Sequence, residues 1–193
     1  GSENGIFHAI KLNRSYDEFG KVKVEPRELV AIPTFSKDFI ALVGDDDLSI
    51  ESSPLKIGDV VYVANSGGRI MGFDVSKVLD GLAPTVFDFW TGDDTDATLI
   101  TDDRGFIYAV SEEERLNQRS KEIGQIIKLD TKKPENPLVW NIHVPARGGV
   151  IGGVWATPAI YKDYLYVTTN PGELLTIDKN SGEVLSRIFV GDH

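Results

Sequence analysis

The chain contains the same strand pair twice. Glu51–Asp74, ESSPLKIGDVVYVANSGGRIMGFD, and Trp155–Asp178, WATPAIYKDYLYVTTNPGELLTID, align without a gap. They match Pro54 with Pro158, Tyr62 with Tyr166, Gly68 with Gly172 and Asp74 with Asp178. Self-similarity at a period of roughly 40–50 residues marks architectures in which one supersecondary unit stacks on the next. Each copy begins with a short strand after Ser53-Pro54 or Thr157-Pro158, and turns at Ile57–Asp59 or Lys162-Asp163. It continues into a β-rich strand carrying the tyrosine, Val60–Ala64 or Leu165–Thr168. A turn ending in glycine follows, Ser66-Gly67-Gly68 or Asn170-Pro171-Gly172, where glycine supplies positive φ for a hairpin. The third strand then ends in aspartate, Ile70–Asp74 or Leu174–Asp178, and an outer strand closes each unit at Thr85–Trp90, Leu138–Val144 or Val184–Val190. Four antiparallel strands per unit predict an all-β chain made of propeller blades.

A middle copy is interrupted. Gly105–Val110 matches the tyrosine strand through Tyr108, and Gly124–Asp130 matches the strand ending in aspartate, with Gly124 as the turn glycine. Between them SEEERLNQRSKEI lengthens the hairpin by roughly ten residues. Its Glu112, Glu113, Glu114, Arg115, Arg119 and Lys121 have the spacing of a short charged helix, as a solvated extension or as a recognition loop. The N-terminal GSENGIFHAIKL matches only the glycine turn and third strand, with Arg27–Pro33 as the fourth. The expectation is a single β-propeller segment of about three and a half blades, a half blade at 1–35 and full blades at 49–91, 96–145 and 154–191. Asn13–Gly20, Ser36–Asp38 and Val75–Ala83 read as linkers joining strands. An open arc leaves the edge of Ile6–Leu12 unpaired and both end faces uncovered, so the expected partners include further blades of a longer propeller or another copy of the chain.

Composition narrows the function. With 41% hydrophobic residues the chain can bury a real core. Asp and Glu number 30 against 20 Lys and Arg, a formal charge of −10 that argues against nucleic acid or anionic lipid as the partner. No cysteine means no disulfide, thiolate zinc site or cysteine nucleophile. The longest hydrophobic runs are strand-sized and far short of a membrane span.

The sharpest polar cluster is Asp93, Asp94 and Asp96, with Asp102 and Asp103 close behind; such carboxylate density suits Ca²⁺, or else solvated turns. Asp45-Asp46-Asp47 is a similar run. His8, His143 and His193 are too scattered for a zinc site or a triad, and no Gly-x-Ser-x-Gly elbow occurs. Arg147 and Trp155 flank the glycines of Gly148–Gly153 near the start of an innermost strand, a place where propellers bind ligands and where an indole also packs between blades. Tyr62, Tyr108 and Tyr166 should hold equivalent places in successive blades.

GDVVYVANSGGRIMGFD, and NPGELLTIDKNSGEVL with its Asp-x-x-x-Gly turn, resemble the PQQ-like β-propeller repeat. That repeat occurs in pyrroloquinoline quinone (PQQ) alcohol dehydrogenases and in non-enzymatic relatives such as the outer-membrane assembly lipoprotein BamB. The run FDFWTGDDTDATLITDDRGFIYAVSEEER, followed by GQIIKLD and PLVWNI, is also similar to secreted or cell-envelope bacterial proteins with this repeat. The resemblance implies outer-strand tryptophans docked between blades, with Trp90 and Trp140 in that place. It also implies a cell-envelope or secreted setting, and either of two functions. One is a non-catalytic binding or scaffold module with a protein or small-ligand partner. The other is a quinoprotein dehydrogenase holding PQQ and Ca²⁺, against which stands the missing cysteine pair of many such enzymes.

Overall fold

The structure, a computed structural model, describes residues 1–191; His193 lies outside the described residues. A half blade pairs β1 (Ile6–Tyr16) with β2 (Val22–Pro33). The first full blade runs β3 (Leu55–Ile57), β4 (Val60–Ala64), β5 (Arg69–Asp74) and β6 (Thr85–Trp90) in order across the sheet. The second has β7 (Ile100–Thr101), β8 (Phe106–Val110), β9 (Ile126–Asp130) and β10 (Leu138–Ile142). The third has β11 (Ala159–Tyr161), β12 (Tyr164–Thr168), β13 (Glu173–Asp178) and β14 (Val184–Phe189). Every pairing is antiparallel, and the sheets form an open arc of three and a half propeller blades.

Side-chain alternation decides how the blades stack. In β5, Ile70 faces the second blade while Met71 and Phe73 face the half blade, where Phe7 stacks on Phe73 at 4.7 Å. In β8, Ile107 and Ala109 pack toward the first blade and Tyr108 and Val110 toward the third. Strands buried on both faces need continuous apolar runs, hence VVYVA and FIYAV. The last blade has one open face, and β12 alternates accordingly: Leu165 and Val167 are buried, Tyr164 and Thr168 exposed. Each Val, Leu or Ile buried at these joints contributes about 1.5–3 kcal/mol.

The innermost connections are stitched in series. The Ser53 amide donates to Thr98 Oγ1 at 3.3 Å, and the Thr98 amide to Thr157 Oγ1 at 3.0 Å. These three residues stand at equivalent positions ahead of successive first strands.

Cross-strand register places the tyrosines. Tyr62 pairs with Gly72 and through it with Phe87; Tyr108 with Lys128 and Trp140; Tyr166 with Thr176 and Ser186. This corrects the outer-strand alignment. Trp140 lies inside β10, on the third-blade side: it donates to the Lys179 carbonyl at 3.2 Å and lies over Gly182, where a Cβ would come within 2.8 Å of the ring. Trp90 ends β6 opposite Arg69, donates to its own blade's Gly67 carbonyl at 2.9 Å and packs edge-on to Phe39. The counterpart of Trp140 in the first blade is therefore Phe87. Each outer strand contains or opposes a bulge, so counting from the strand end misaligns it.

Two of the three expected linkers are also corrected, while Val75–Ala83 does join β5 to β6. Asn13–Gly20 is mostly ladder: β1 and β2 continue as a two-stranded ribbon to Tyr16 and Val22, closed by the Asp17 side chain accepting from the amides of Phe19 and Lys21. Ser36–Asp38 opens the helix α1 (Lys37–Val43), because the Ser36 hydroxyl accepts from the Phe39 amide as an N-cap. Val75–Ala83 contains a 3₁₀ turn at Val78–Asp80.

Candidate functional site

The connections into each first strand and the turns before each third strand share one rim. There the turn glycines Gly68, Gly124 and Gly172 all have positive φ, between 75° and 82°, and a Cβ on any of them would strike backbone at the exit of its own outer strand. One bond recurs in all three blades: Ser66 donates its N–H to the Ser49 carbonyl, Glu112 to Asp94 and Asn170 to Gly153.

In the second blade this turn carries the insertion. Its helix, α2 (Gln118–Ile123), is shorter than the charge spacing predicts and leaves Glu112–Arg115 outside; Asn117 caps it by accepting from the Ser120 amide. Asp93, fully buried, organises the segment before it. Its Oδ1 accepts from the amides of Asp94, Glu114 and Arg115 and its Oδ2 from Leu116, between 2.9 and 3.2 Å. Leu116 adopts φ 49°, a left-handed conformation that this cradle holds in place. Arg115 then reaches across to the first blade, donating to the Ser66 carbonyl at 2.7 Å and to Asp45 at 3.0 Å. The Asp47 amide, and then Arg115, hold the Asp45 carboxyl below its usual range against the effect of burial. On the other side Glu113 accepts from the amides of Ala146 and Gly152, and Val154 donates to the Ser111 carbonyl. The insertion thus clamps the connections on both sides of it.

Asp94, Asp96 and Glu112 influence one another electrostatically beside this clamp. Burial, then the charge of Asp96, pushes the Asp94 carboxyl up to about 8, against the pull of Arg115, whose Nη1 is 3.6 Å away. Burial likewise raises Glu112 to about 7, although the Trp155 side chain hydrogen-bonds to it and works the other way. Asp94 Oδ1 and Asp96 Oδ1 are buried without a hydrogen-bond partner.

The proposed cation ligands therefore separate. Asp93 is consumed by backbone amides, and Asp102 sits beyond β7 in a different turn. There, against the effect of burial, the Phe106 amide, the Tyr108 hydroxyl and Arg104 hold its carboxyl below the usual range. Among the described residues no three His, Asp or Glu converge as a metal site. Arg147 and Trp155 turn to different partners: Arg147 is an exposed ion pair with Glu173 at 3.0 Å, and Trp155 joins Glu112. His8 bonds Glu28 on the half blade. Sequence reasoning missed Lys128, which is buried at the blade joint although lysine in a strand normally signals solvent.

Solved structures share this architecture. BamB from Moraxella catarrhalis matches with a TM-score of 0.61 and 19% identity, over 96% of this chain and 47% of its own length. In fold, the chain is a segment of such a propeller. Quinohemoprotein alcohol dehydrogenase from Comamonas testosteroni matches at TM-score 0.54 and 16% identity, over 73% of this chain and 21% of that one. A europium-containing methanol dehydrogenase matches at 0.52 and 15%, over 74% and 26%. The chain thus spans about half the length of BamB and about a fifth to a quarter of the two dehydrogenases. No family model matches the sequence, and no curated protein matches it. No helix among the described residues is long and apolar enough to cross a membrane.

Proposed function

We propose that the chain is a non-catalytic binding or scaffold module of the PQQ-like propeller type, presenting the clamped rim to a protein or small-ligand partner in the cell envelope or outside the cell. One observation carries this reading: the rim's polar side chains, Asp93, Glu113 and Arg115 above all, are used to lock one blade's insertion to its neighbours. A pre-formed surface lowers the ordering cost of binding. The BamB likeness in fold and the acidic balance of the chain support a protein partner with a basic face.

The second reading, a PQQ-dependent dehydrogenase or a remnant of one, draws on the two orphaned oxygens of Asp94 and Asp96, which have the hardness Ca²⁺ prefers. The donor set does not fit. Asp93 and Asp102 are engaged elsewhere, and Arg115 supplies charge to Asp94 already. The deciding experiment adds PQQ and Ca²⁺ and follows melting temperature together with dye-linked alcohol oxidation. The expected outcome is no turnover; a saturable shift with turnover would replace the scaffold reading by the enzyme one.

A further inference from the structure

The β1–β2 ladder runs on past its blade. Third strands of the full blades are short, Arg69–Asp74, Ile126–Asp130 and Glu173–Asp178, and aligning Gly5 with Gly68 places Lys11 level with Asp74, where β5 ends. Five further pairs follow, from Leu12 with Pro26 to Tyr16 with Val22. Residues 12–26 therefore project roughly 17 Å beyond the stack, at about 3.4 Å per residue, whatever stands on either side of β1. The hairpin leaves the propeller at the end opposite the clamped rim, because third strands begin at the rim glycines and run away from them.

Alternation makes this ribbon amphipathic. Leu12, Tyr16, Val22, Val24 and Pro26 share one face with Arg14, while Asn13, Ser15, Lys23 and Glu25 take the other. Tyr16 and Phe19, 74% and 78% exposed, are the most exposed large apolar side chains among the described residues. Their turn is fixed: the Asp17 carboxylate accepts from the amides of Phe19 and Lys21 at 2.9 and 2.8 Å, and the Gly20 amide donates to the Asp17 carbonyl at 3.0 Å. A two-stranded ribbon is marginal in water on its own, and an apolar face held out from the body marks an interaction surface.

Charge is segregated in the same way. Residues 11–27 carry five basic groups, Lys11, Arg14, Lys21, Lys23 and Arg27, against three acidic ones, a balance of +2; the rest of the chain has 15 against 27, a balance of −12. The net charge of the whole chain argues against anionic lipid, but the tip stands about two screening lengths, of about 8 Å each, from the acidic body. Arg14, Lys21 and Lys23 act there as local cations.

We propose that this hairpin docks tip-first on a phospholipid bilayer surface, with Tyr16, Phe19 and Val22 among the headgroups and Arg14, Lys21 and Lys23 on the phosphates. Aromatic rings favour that depth, and basic side chains bury their stems while their charges reach phosphate. Glu18, on the turn, keeps the contact at headgroup level. A second copy of the chain is a poorer occupant: five residue pairs offer a footprint of roughly 17 by 10 Å, far under the about 800 Å² that each side of a stable interface buries. The hairpin lies away from the rim and does not rest on the scaffold reading.

Because the chain has no cysteine, Glu18→Cys can carry a single environment-sensitive dye. The labelled chain is titrated with phosphatidylcholine vesicles, with and without phosphatidylglycerol, at physiological salt. A saturable blue shift is expected, with affinity about tenfold or more higher when phosphatidylglycerol is present. The same dye at Lys121→Cys, on the rim, should not shift. Tyr16→Ser combined with Phe19→Ser should weaken vesicle binding about tenfold or more at unchanged melting temperature, both side chains being exposed. Lys21→Glu combined with Lys23→Glu should weaken binding about tenfold or more on the anionic vesicles and leave the zwitterionic ones unaffected. Absence of a saturable shift overturns the proposal. So does binding indifferent to the Tyr16 and Phe19 changes or to the charge reversal, and so does an equal shift from the rim label. Dimers formed without vesicles and lost with Tyr16 and Phe19 would assign the hairpin to a second copy instead.

Discussion

Two blade joints built on the same register position are filled differently. Between the first and second blades, Tyr62 lies across Gly72 and meets Phe87 edge to face at 5.5 Å; a Cβ on Gly72 would come within 2.7 Å of the tyrosine ring. Between the second and third, Lys128 replaces the glycine and Trp140 the phenylalanine. Lys128, 2% exposed, donates to the Lys179 carbonyl at 2.8 Å, the acceptor that Tyr108 and Trp140 also use, and its ammonium sits 4.2 Å from the Phe106 ring centre. Burial lowers the pKa of that lysine. The first joint combines this fit of shape with a hydrogen bond between the Tyr62 and Thr131 side chains. The second gathers three donors on one carbonyl of the following blade.

The largest expected effects test the equivalence itself. Phe87→Ala and Trp140→Ala should each cost about 3–5 kcal/mol in urea denaturation, and Trp90→Ala, half-buried against α1, about 1–2. If Trp90→Ala costs as much as Phe87→Ala, the register-based pairing of the two joints is broken. Next, Asp93→Ala should cost about 2–4 kcal/mol, because four amides lose a charged acceptor, and should open the insertion to trypsin at Arg115, Arg119 and Lys121. Cleavage kinetics equal to the parent chain would show that the insertion is held by something else.

Smaller effects sharpen the contrast. Tyr108→Phe removes a hydroxyl bonded to Asp102 and Lys179 and should cost about 1 kcal/mol. Lys128→Met should stay within about 1 kcal/mol of the parent, or gain, because it removes a buried charge while keeping the volume. A larger loss at Lys128 than at Tyr108 would make the ammonium, and not the packing, the anchor of that joint.

A further effect is in pH. Asp94 and Glu112 bind protons more tightly folded than unfolded, so their contribution to stability is present in acid and is lost as pH rises from the ordinary carboxylate range to about 8. Asp45, Asp102 and Asp178 are shifted down and act oppositely: their contribution is present above the ordinary range and lost as pH falls below it. Melting temperature should therefore decline from pH 5 to pH 8, and the decline should flatten in Asp94→Asn. A slope unchanged by that substitution would show that the inner carboxylates are not its source.

The blades were legible because their signals are local and repeated: a Pro step, a tyrosine in a β-rich run, a glycine that only a turn of positive φ requires, an aspartate at the strand end. What was illegible depends on partners far along the chain. Nothing near Asp93 announces that it will accept from amides more than twenty residues away, and three neighbouring aspartates read alike until burial separates them. The bulges hid the equivalence of Phe87 and Trp140. The seven-residue α1 has one short cap signal, Ser36, inside a segment otherwise resembling a link, and the ribbon past Leu12 was concealed by the polar residues of its outer ladder.

The insertion enters after Val110 and leaves at Gly124, and the pair that closes the ladder around it, Val110 with Ile126, is the counterpart of Ala64 with Ile70 and of Thr168 with Leu174. Added length at this turn stays outside the hydrogen-bonded register, and the glycine restores the chain to the same path whether three residues or thirteen separate it from the strand before. Such a point is suited to grafting: a segment exchanged there would leave the register of the blade that holds it unchanged. Descendants of one scaffold would then differ most in what their rims recognise and least in how their blades are built.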